Sequence, residues 1–310
     1  MKDATRWPDP FAVPRKAMLL LALLCGTAVA VAQCPEAPGA RHVIPFRWTP
    51  GQIEVQVSVN GHPGEWFVVD TGAEYSILDQ QLAKSLQLPV FRRGQRDFAR
   101  GVTLRIGAVE LSDQEVMILP LENFRRQGRA IVGLIGYDLF ARYVVSFDYL
   151  ARTMTICDPR AFQPPRGATT VPLTFAGRLA VVPVTIALDD TQSSLAARVI
   201  LDTGASQSLI LRYPFADARG LIDRARQYQT AVAGSVESAT VAFLQLPVKS
   251  VSLAGSSFPA VVLRIYSQPA NAGGDTRTDG ALGNGILSHF RVTLDYSRKQ
   301  MYLEPNQNPR

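Results

Sequence analysis

A four-residue motif that occurs twice constrains the fold of this chain more than any other feature. Asp70-Thr71-Gly72-Ala73 follows the apolar run Trp66–Val69, and Asp202-Thr203-Gly204-Ala205 follows the apolar run Val199–Leu201. In both copies a strand-like segment ends at one carboxylate, and a glycine permits a tight turn directly after it. A fold that holds the two copies in equivalent positions brings the two carboxylates face to face, where they cannot both ionise.

The surroundings of the motif are duplicated as well. In each half an alternating strand precedes the motif, a short helical segment follows it, and a second glycine landmark and a closing strand come later. The matching segments, first half and then second, are Ile53–Val59 and Ala180–Ile186, Asp79–Leu88 and Ala216–Arg226, Ile131–Gly136 and Thr278–Gly283, Tyr137–Tyr143 and Ile286–Phe290, and Val144–Tyr149 and Arg291–Tyr296. Because Asn60-Gly61 separates two strand-like runs, it predicts a hairpin at the start of the first half.

This pattern predicts an all-β protein of two tandem β-barrel lobes, related by a pseudo-twofold axis and carrying a few short helices. We place the N-terminal lobe at residues 41–158 and the C-terminal lobe at 168–305. Residues 159–167, rich in proline and arginine, are the predicted linker.

The N-terminus predicts export. Arg15 and Lys16 precede the apolar run 17–24, and Ala30-Val31-Ala32 favours signal-peptidase cleavage before Gln33, so that residues 1–32 are a signal peptide. The expected location is periplasmic or secreted. The alternative is an uncleaved anchor helix, which would be the chain's one attachment to a membrane.

Two cysteines remain after such a cleavage. In an exported protein Cys34 and Cys157 favour a disulfide that joins the ends of the first lobe, with two free thiols as the alternative. The three histidines, His42, His62 and His289, are scattered, so neither a metal site nor a serine–histidine triad is predicted. The net charge of +6 is spread along the chain, which favours a basic surface over a nucleic-acid site.

Facing carboxylates supply acid and base together. One partner, ionised, takes a proton from a water between them, while the other, protonated, donates to a carbonyl oxygen. An amide can be hydrolysed in this way without metal or cofactor.

The two motifs, with Ser76 and Ser208 at equal offsets and the landmarks Leu134-Ile135-Gly136 and Ala281-Leu282-Gly283, resemble the aspartic proteases of the pepsin and retropepsin superfamily. The resemblance spans the whole predicted mature chain and is greatest to compact, bacterial, retropepsin-like members. It implies a catalytic dyad of Asp70 and Asp202, interlocked Thr71 and Thr203, and supporting loops formed by Gly72, Ala73, Gly204 and Ala205. It further implies that an extended peptide or protein substrate binds between the lobes, and because both motifs lie in one chain, we expect an active monomer.

Two departures from pepsins lead to further expectations. Ala73 and Ala205 stand where pepsins carry Ser or Thr, so the dyad has fewer hydrogen-bond donors and we expect a pH optimum of about 4–6. The expected flap, Phe91–Val102, has no Tyr but holds Arg92, Arg93, Arg96 and Arg100. These arginines either favour acidic substrates or form a solvated basic loop. The alternative function is a catalytically silent, peptide-binding protein of the cell envelope.

Overall fold

The computed structural model describes residues 40–49, 51–189, 194–228, 231–236, 239–269 and 276–306, with 231–236 and 239–240 limited to their backbone. The predicted signal peptide and Cys34 lie outside these residues. None of the helices in this part of the chain is long and apolar enough to cross a membrane.

The described residues form mostly strands, with six short helices. The strands of the first half are β1 (Arg41–Pro45), β2 (Arg47–Trp48), β3 (Ile53–Val59), β4 (Glu65–Val69), β5 (Ile77–Asp79), β6 (Val90–Arg93), β7 (Arg96–Ile106), β8 (Val109–Leu119), β9 (Ile131–Ile135), β10 (Val144–Asp148) and β11 (Thr153–Cys157). The strands of the second half are β12 (Thr169–Pro172), β13 (Thr174–Ala176), β14 (Leu179–Ala187), β15 (Ser194–Leu201), β16 (Leu209–Leu211), β17 (Ala231–Val236), β18 (Ala239–Leu253), β19 (Ser256–Tyr266), β20 (Gly280–Leu282), β21 (Phe290–Asp295) and β22 (Gln300–Pro305). The helices are α1 (Gln80–Ser85), α2 (Glu122–Arg126), α3 (Tyr137–Phe140), α4 (Tyr213–Asp217), α5 (Leu221–Arg226) and α6 (Asn284–Leu287).

Each half closes six strands into a barrel, which confirms the predicted fold class. The first barrel runs β3-β4-β9-β5-β8-β7 and closes where β7 pairs with β3. The second runs β14-β15-β20-β16-β19-β18 and closes where β18 pairs with β14. In both, the strand that ends at the motif aspartate is parallel to the strand of the second glycine landmark, β4 with β9 and β15 with β20. The two barrels therefore repeat one topology.

A third sheet joins the halves, in the order β1-β11-β10-β21-β22-β12. At its centre β10 and β21 are antiparallel, and Ser146 lies opposite Thr293 with their hydroxyl oxygens 2.7 Å apart. These two residues occupy equivalent positions in the duplicated sequence. The pseudo-twofold axis between the halves therefore passes between them.

The interior of each lobe follows from the alternation of its strands. Val55, Val57 and Phe67 in the first lobe, and Val182 and Val199 in the second, have no exposed surface. At the predicted hairpin, Asn60 and Gly61 have φ values of 50° and 80°, a conformation that asparagine and glycine tolerate better than other residues.

The predicted helices are shorter in the structure. Helix α1 begins after Asp79, whose carboxylate caps it by accepting a hydrogen bond from the Gln81 amide at 2.9 Å, and it ends at Ser85. The single helix expected over Ala216–Arg226 is wrong. Gly220 has a φ of 65°, and this left-handed residue separates α4 from α5.

Candidate active site

The two motif aspartates occupy equivalent places at the ends of strands β4 and β15. The amide of Asp70 donates to the carbonyl of Ile135 at 2.9 Å, and the amide of Asp202 donates to the carbonyl of Leu282 at 3.0 Å. The acceptors belong to β9 and β20, the strands of the second glycine landmark. These parallel neighbours fix where each carboxylate leaves its barrel.

The structure brings Asp70 and Asp202 together, and their carboxyl groups share a hydrogen bond. The Gly72 amide donates to Oδ1 of Asp70 at 2.8 Å. A β-carbon at Gly72 would lie 2.8 Å from Cγ of Asp202, and one at Gly204 would lie 2.5 Å from Cγ of Asp70. Each motif glycine thus lies against the carboxyl group of the opposite lobe.

The two carboxyl groups differ electrostatically. Both aspartates keep some surface open to solvent, but protein encloses them closely enough that desolvation raises the pKa of each. For Asp70 the nearby charge of Asp202 raises the pKa further, well above its usual range. For Asp202 the hydrogen bond from Asp70, the Ala205 and Gly204 amides and the Arg212 guanidinium all oppose the rise in pKa. Because the two groups lie together and oppose each other's ionisation, they hold one proton between them as a pair.

Thr71 and Thr203 interlock beside the dyad. The Thr203 amide donates to Oγ1 of Thr71 at 3.0 Å, and the Thr71 amide donates to Oγ1 of Thr203 at 3.1 Å. Each hydroxyl donates to a carbonyl of the other lobe, Thr71 to Leu201 and Thr203 to Val69, both at 2.8 Å. Both residues are almost fully buried. Four hydrogen bonds therefore tie the two motif strands to each other.

The fourth residue of each motif is a buried, apolar alanine. Ala73 and Ala205 are buried, and their amides donate to the carbonyls of Asp70 and Asp202 at 3.3 and 3.2 Å. No side-chain hydroxyl is available at either position to stabilise the ionised dyad.

Sequence reasoning missed Asn284, which connects the lobes behind the second motif. Its side-chain amide donates to the carbonyls of Gly51, at 2.8 Å, and Thr203, at 2.7 Å. Its carbonyl accepts a hydrogen bond from the Tyr149 hydroxyl at 3.0 Å. Asn284 directly follows the glycine landmark of the second half, so its position was the only signal that could have identified it.

A buried ion pair also reaches the second motif. Arg129 Nε donates to Glu54 at 3.0 Å, and both side chains are less than one tenth exposed. Arg129 also donates to the side-chain carbonyl of Gln52 at 2.5 Å, and Gln52 donates to the carbonyl of Gly204. A charged pair in the first lobe thereby orients the side chain that supports the motif loop of the second.

Arg178 makes a similar contact from the second lobe to the loop of the first motif. It precedes β14 just as Gln52 precedes β3, and it donates to the carbonyl of Glu74 at 3.3 Å. Arg277 of the second lobe forms an ion pair with the Glu74 carboxylate at 3.1 Å. Polar contacts therefore link the lobes on both sides of the dyad.

The expected flap region forms a hairpin of β6 and β7. Phe98 is buried and packs edge-on against Tyr75, with ring centroids 5.2 Å apart. Arg93 and Arg100 both bind Glu115.

Cys157 is buried at the end of β11, and because Cys34 lies outside the described residues, the Cys34–Cys157 disulfide stays a prediction.

Comparisons with known proteins agree with this geometry. A family model described as "Aspartyl protease" matches residues 55–139, which include the first motif and the first glycine landmark. The crystal structure of the aspartic proteinase from Irpex lacteus aligns with a TM-score of 0.52 and 15% sequence identity, and the alignment covers 86% of this chain and 98% of that chain. No curated protein sequence matches the chain at a significant level.

The fold is therefore that of the acid proteases, two barrels that each contribute one aspartate to a shared site. Within that fold, the first lobe carries the aspartyl protease sequence pattern over residues 55–139.

Proposed function

We propose that this protein is an aspartic endopeptidase that hydrolyses peptide bonds with the dyad of Asp70 and Asp202. The observation that carries the proposal is the meeting of the two carboxyl groups at a junction that solvent reaches, with the pKa of Asp70 held well above its usual range. A carboxylic acid that stays protonated beside a carboxylate is the arrangement that acid–base hydrolysis needs.

The proposed reaction has two steps. The ionised aspartate of the pair takes a proton from a water molecule, whose oxygen attacks the peptide carbonyl carbon, while the protonated aspartate donates its proton to the carbonyl oxygen. In the tetrahedral diol that results, the aspartate that took the water's proton donates it to the amide nitrogen as the carbon–nitrogen bond breaks, and the other aspartate takes a proton from one diol hydroxyl. One product ends in a carboxyl group, the other begins with an amine, and the dyad returns to its starting protonation.

The interlock of Thr71 and Thr203 supports this chemistry by holding the two motif strands at a fixed separation. Because acid–base catalysis depends strongly on the distance between donor, acceptor and reacting atoms, holding the two carboxyl groups in fixed positions favours the reaction. We further propose that the substrate is an extended peptide lying between the lobes, that one chain is active as a monomer, and that the protein acts after export, in the periplasm or outside the cell.

The test is cleavage of a peptide library between pH 3 and 7 by the wild type and by the Asp70→Asn and Asp202→Asn variants. We expect each variant to lose at least about a hundredfold in kcat/KM, the order expected for an acid or base in the reaction. Asp223→Asn is the matched control, because this aspartate is 84% exposed in the second lobe. Cleavage that survives either dyad substitution would refute the assignment, and absence of cleavage by the wild type at every pH would favour a silent peptide-binding protein.

A further inference from the structure

The two halves of the site differ in charge, because arginine side chains surround Tyr75 in the first half. This residue lies five positions after Asp70, and two arginine side chains flank its ring. The guanidinium carbon of Arg178, from the second lobe, is 4.3 Å from the ring centroid, and that of Arg93, from the β6–β7 hairpin, is 5.5 Å away. The first catalytic loop is therefore followed directly by a cationic, aromatic surface.

A third arginine extends this surface along the hairpin. Arg100 donates to one oxygen of Glu115 at 2.9 Å, while Arg93 donates to the other at 2.6 Å. Arg93 also covers the Phe98 ring at 4.0 Å, and Arg100 covers the Phe91 ring at 4.4 Å. We call Tyr75, Arg93, Arg100 and Arg178 the Tyr75 patch.

Among the described residues, the carboxylates in contact with the patch are fewer than its cations. One carboxylate, Glu115, serves both Arg93 and Arg100. The other, Asp138, lies 3.9 Å from Arg178 and already accepts the Ser76 amide at 2.7 Å. Arg93 and Arg178 remain 45% and 42% exposed. Because a guanidinium stacked on a ring keeps its edge free to donate, these side chains can still receive a carboxylate from outside.

The corresponding positions in the other half carry no arginine or lysine. Gln52 stands where the second half has Arg178, and Ser206 and Gln207 stand where the first half has Glu74 and Tyr75. The sequence of residues 231–240 contains one glutamate, Glu237, and no arginine or lysine. A peptide that passes between the lobes would therefore meet the arginines of the first half and no corresponding arginines in the second.

We propose that the Tyr75 patch selects peptides that carry an acidic side chain on one side of the scissile bond. The inference deepens the proposed function and rests on it, since it assumes that the substrate lies along the dyad. An arginine–carboxylate contact at a partly exposed surface fixes orientation as well as affinity. The patch therefore sets both the substrate class and the direction in which the chain lies.

The test compares peptides that differ by Glu against Gln at each of four positions on either side of the cleaved bond. At about pH 6 a peptide glutamate is ionised. We expect kcat/KM to be roughly fivefold higher for Glu at positions on one side only, as for a partly exposed ion pair. This preference should shrink in 1 M NaCl, where charges are screened within about 3 Å.

The variants Arg93→Gln and Arg100→Gln should each lower the ratio of kcat/KM for Glu peptides to kcat/KM for Gln peptides. Arg105→Gln is the matched control. Arg105 is an exposed arginine on β7, the strand of Arg100, and it forms an ion pair with Glu110 outside the patch. A Glu-to-Gln ratio near one at every position, or a ratio that survives both patch substitutions, would overturn the proposal.

A binding measurement separates this inference from the proposed function. Fluorescence anisotropy of the same labelled peptides on the Asp70→Asn protein requires no hydrolysis. If no peptide is cleaved but Glu peptides bind more tightly and lose this advantage in Arg93→Gln, the patch is confirmed and the endopeptidase assignment fails. If peptides are cleaved but Glu confers no advantage in binding, the patch proposal fails and the endopeptidase assignment stands.

Discussion

The hydroxyl groups of Thr71 and Thr203 each accept the backbone amide of the other residue, at 3.0 and 3.1 Å, across the junction between two lobes. The two threonines are 132 positions apart in the chain but equivalent in the duplicated pattern. Each polar group in this pair is satisfied by the opposite lobe. The separation of the dyad therefore depends on a contact that no single lobe can make.

We predict that Thr71→Val destabilises the protein and impairs hydrolysis together. Valine has nearly the shape of threonine, but it leaves the buried Thr203 amide without its acceptor and the Leu201 carbonyl without its donor. An unsatisfied buried group costs about 1–3 kcal/mol. Urea denaturation measures the stability and kcat/KM measures the hydrolysis. Thr71→Ser, which keeps the hydroxyl, should retain most of the wild-type stability and activity. Equal losses in Val and Ser variants would contradict the role of the hydroxyl.

We predict that Gly204→Ala abolishes hydrolysis because the new β-carbon would occupy the space of the Asp70 carboxyl group, 2.5 Å from its Cγ. The carboxyl must move, and overpacking of this kind costs about 1–3 kcal/mol. Gly64→Ala is the control, since its β-carbon would meet its nearest neighbour at an ordinary 3.5 Å. If Gly204→Ala keeps wild-type kcat/KM, the dyad does not adopt this geometry during catalysis.

The raised pKa of Asp70 predicts how stability depends on pH. An aspartate whose pKa is higher in the folded state binds more protons there than in the unfolded chain, so the free energy of unfolding falls as pH rises. The fall begins near the ordinary aspartate pKa of about 4 and continues upward through the raised folded value. Asp70→Asn should flatten this part of the profile and raise stability at pH 7 relative to the wild type. Urea midpoints at pH 4 and pH 7 measure it, and an unchanged slope in the variant would contradict the burial of charge at Asp70.

The same coupling predicts a bell-shaped dependence of kcat/KM on pH. The limbs report two apparent pKa values that belong to the pair, because the dyad works only with one proton present. With alanine at positions 73 and 205, no side-chain hydroxyl there stabilises the ionised carboxylates, and we expect the maximum at about pH 4–6. Initial rates on one peptide across pH 2–8 test this, and a maximum near pH 2 would be inconsistent with it.

We predict that Glu54→Gln is strongly destabilising because it leaves the buried Arg129 guanidinium without its carboxylate. Removing one partner of a buried pair costs about 3–5 kcal/mol. Glu110→Gln is the matched control, since its partner Arg105 is 56% exposed and such pairs contribute about 1 kcal/mol or less. Hydrolysis should fall as well, because Arg129 orients Gln52 against Gly204. A loss for Glu54→Gln no greater than that for Glu110→Gln would contradict the structural role of the pair.

Local patterns in the sequence were enough to predict the strands that carry the site. The strand β3 has the predicted bounds, and both motif aspartates lie at the ends of strands, because alternation of apolar residues and an Asn-Gly turn are properties of a few neighbouring residues. The duplication then supplied the pairing of Asp70 with Asp202. Helix ends were less predictable, as at Gly220, where one left-handed residue divides a continuous apolar pattern.

Apart from the threonine interlock, which the family resemblance implied, the residues that join the lobes were not predictable from the sequence. Asn284, Gln52 and Arg178 are polar side chains whose partners come from the opposite half of the chain, so nothing in their own neighbourhood identifies those partners. The central pairing of Ser146 with Thr293 is equally non-local. Such contacts are determined only when both halves are placed together in space.

The pairing of β10 with β21 also sets the order in which the site is assembled. Synthesis of the chain passes Asp70 and Asp202 well before it reaches residues 290–295, yet the sheet that joins the two halves is incomplete until those residues are available. Contacts between such distant segments form slowly, because the entropic cost of closing the long loop between them comes before the contacts can stabilise the chain. A nascent chain therefore carries both aspartates before the residues that complete the joining sheet are available.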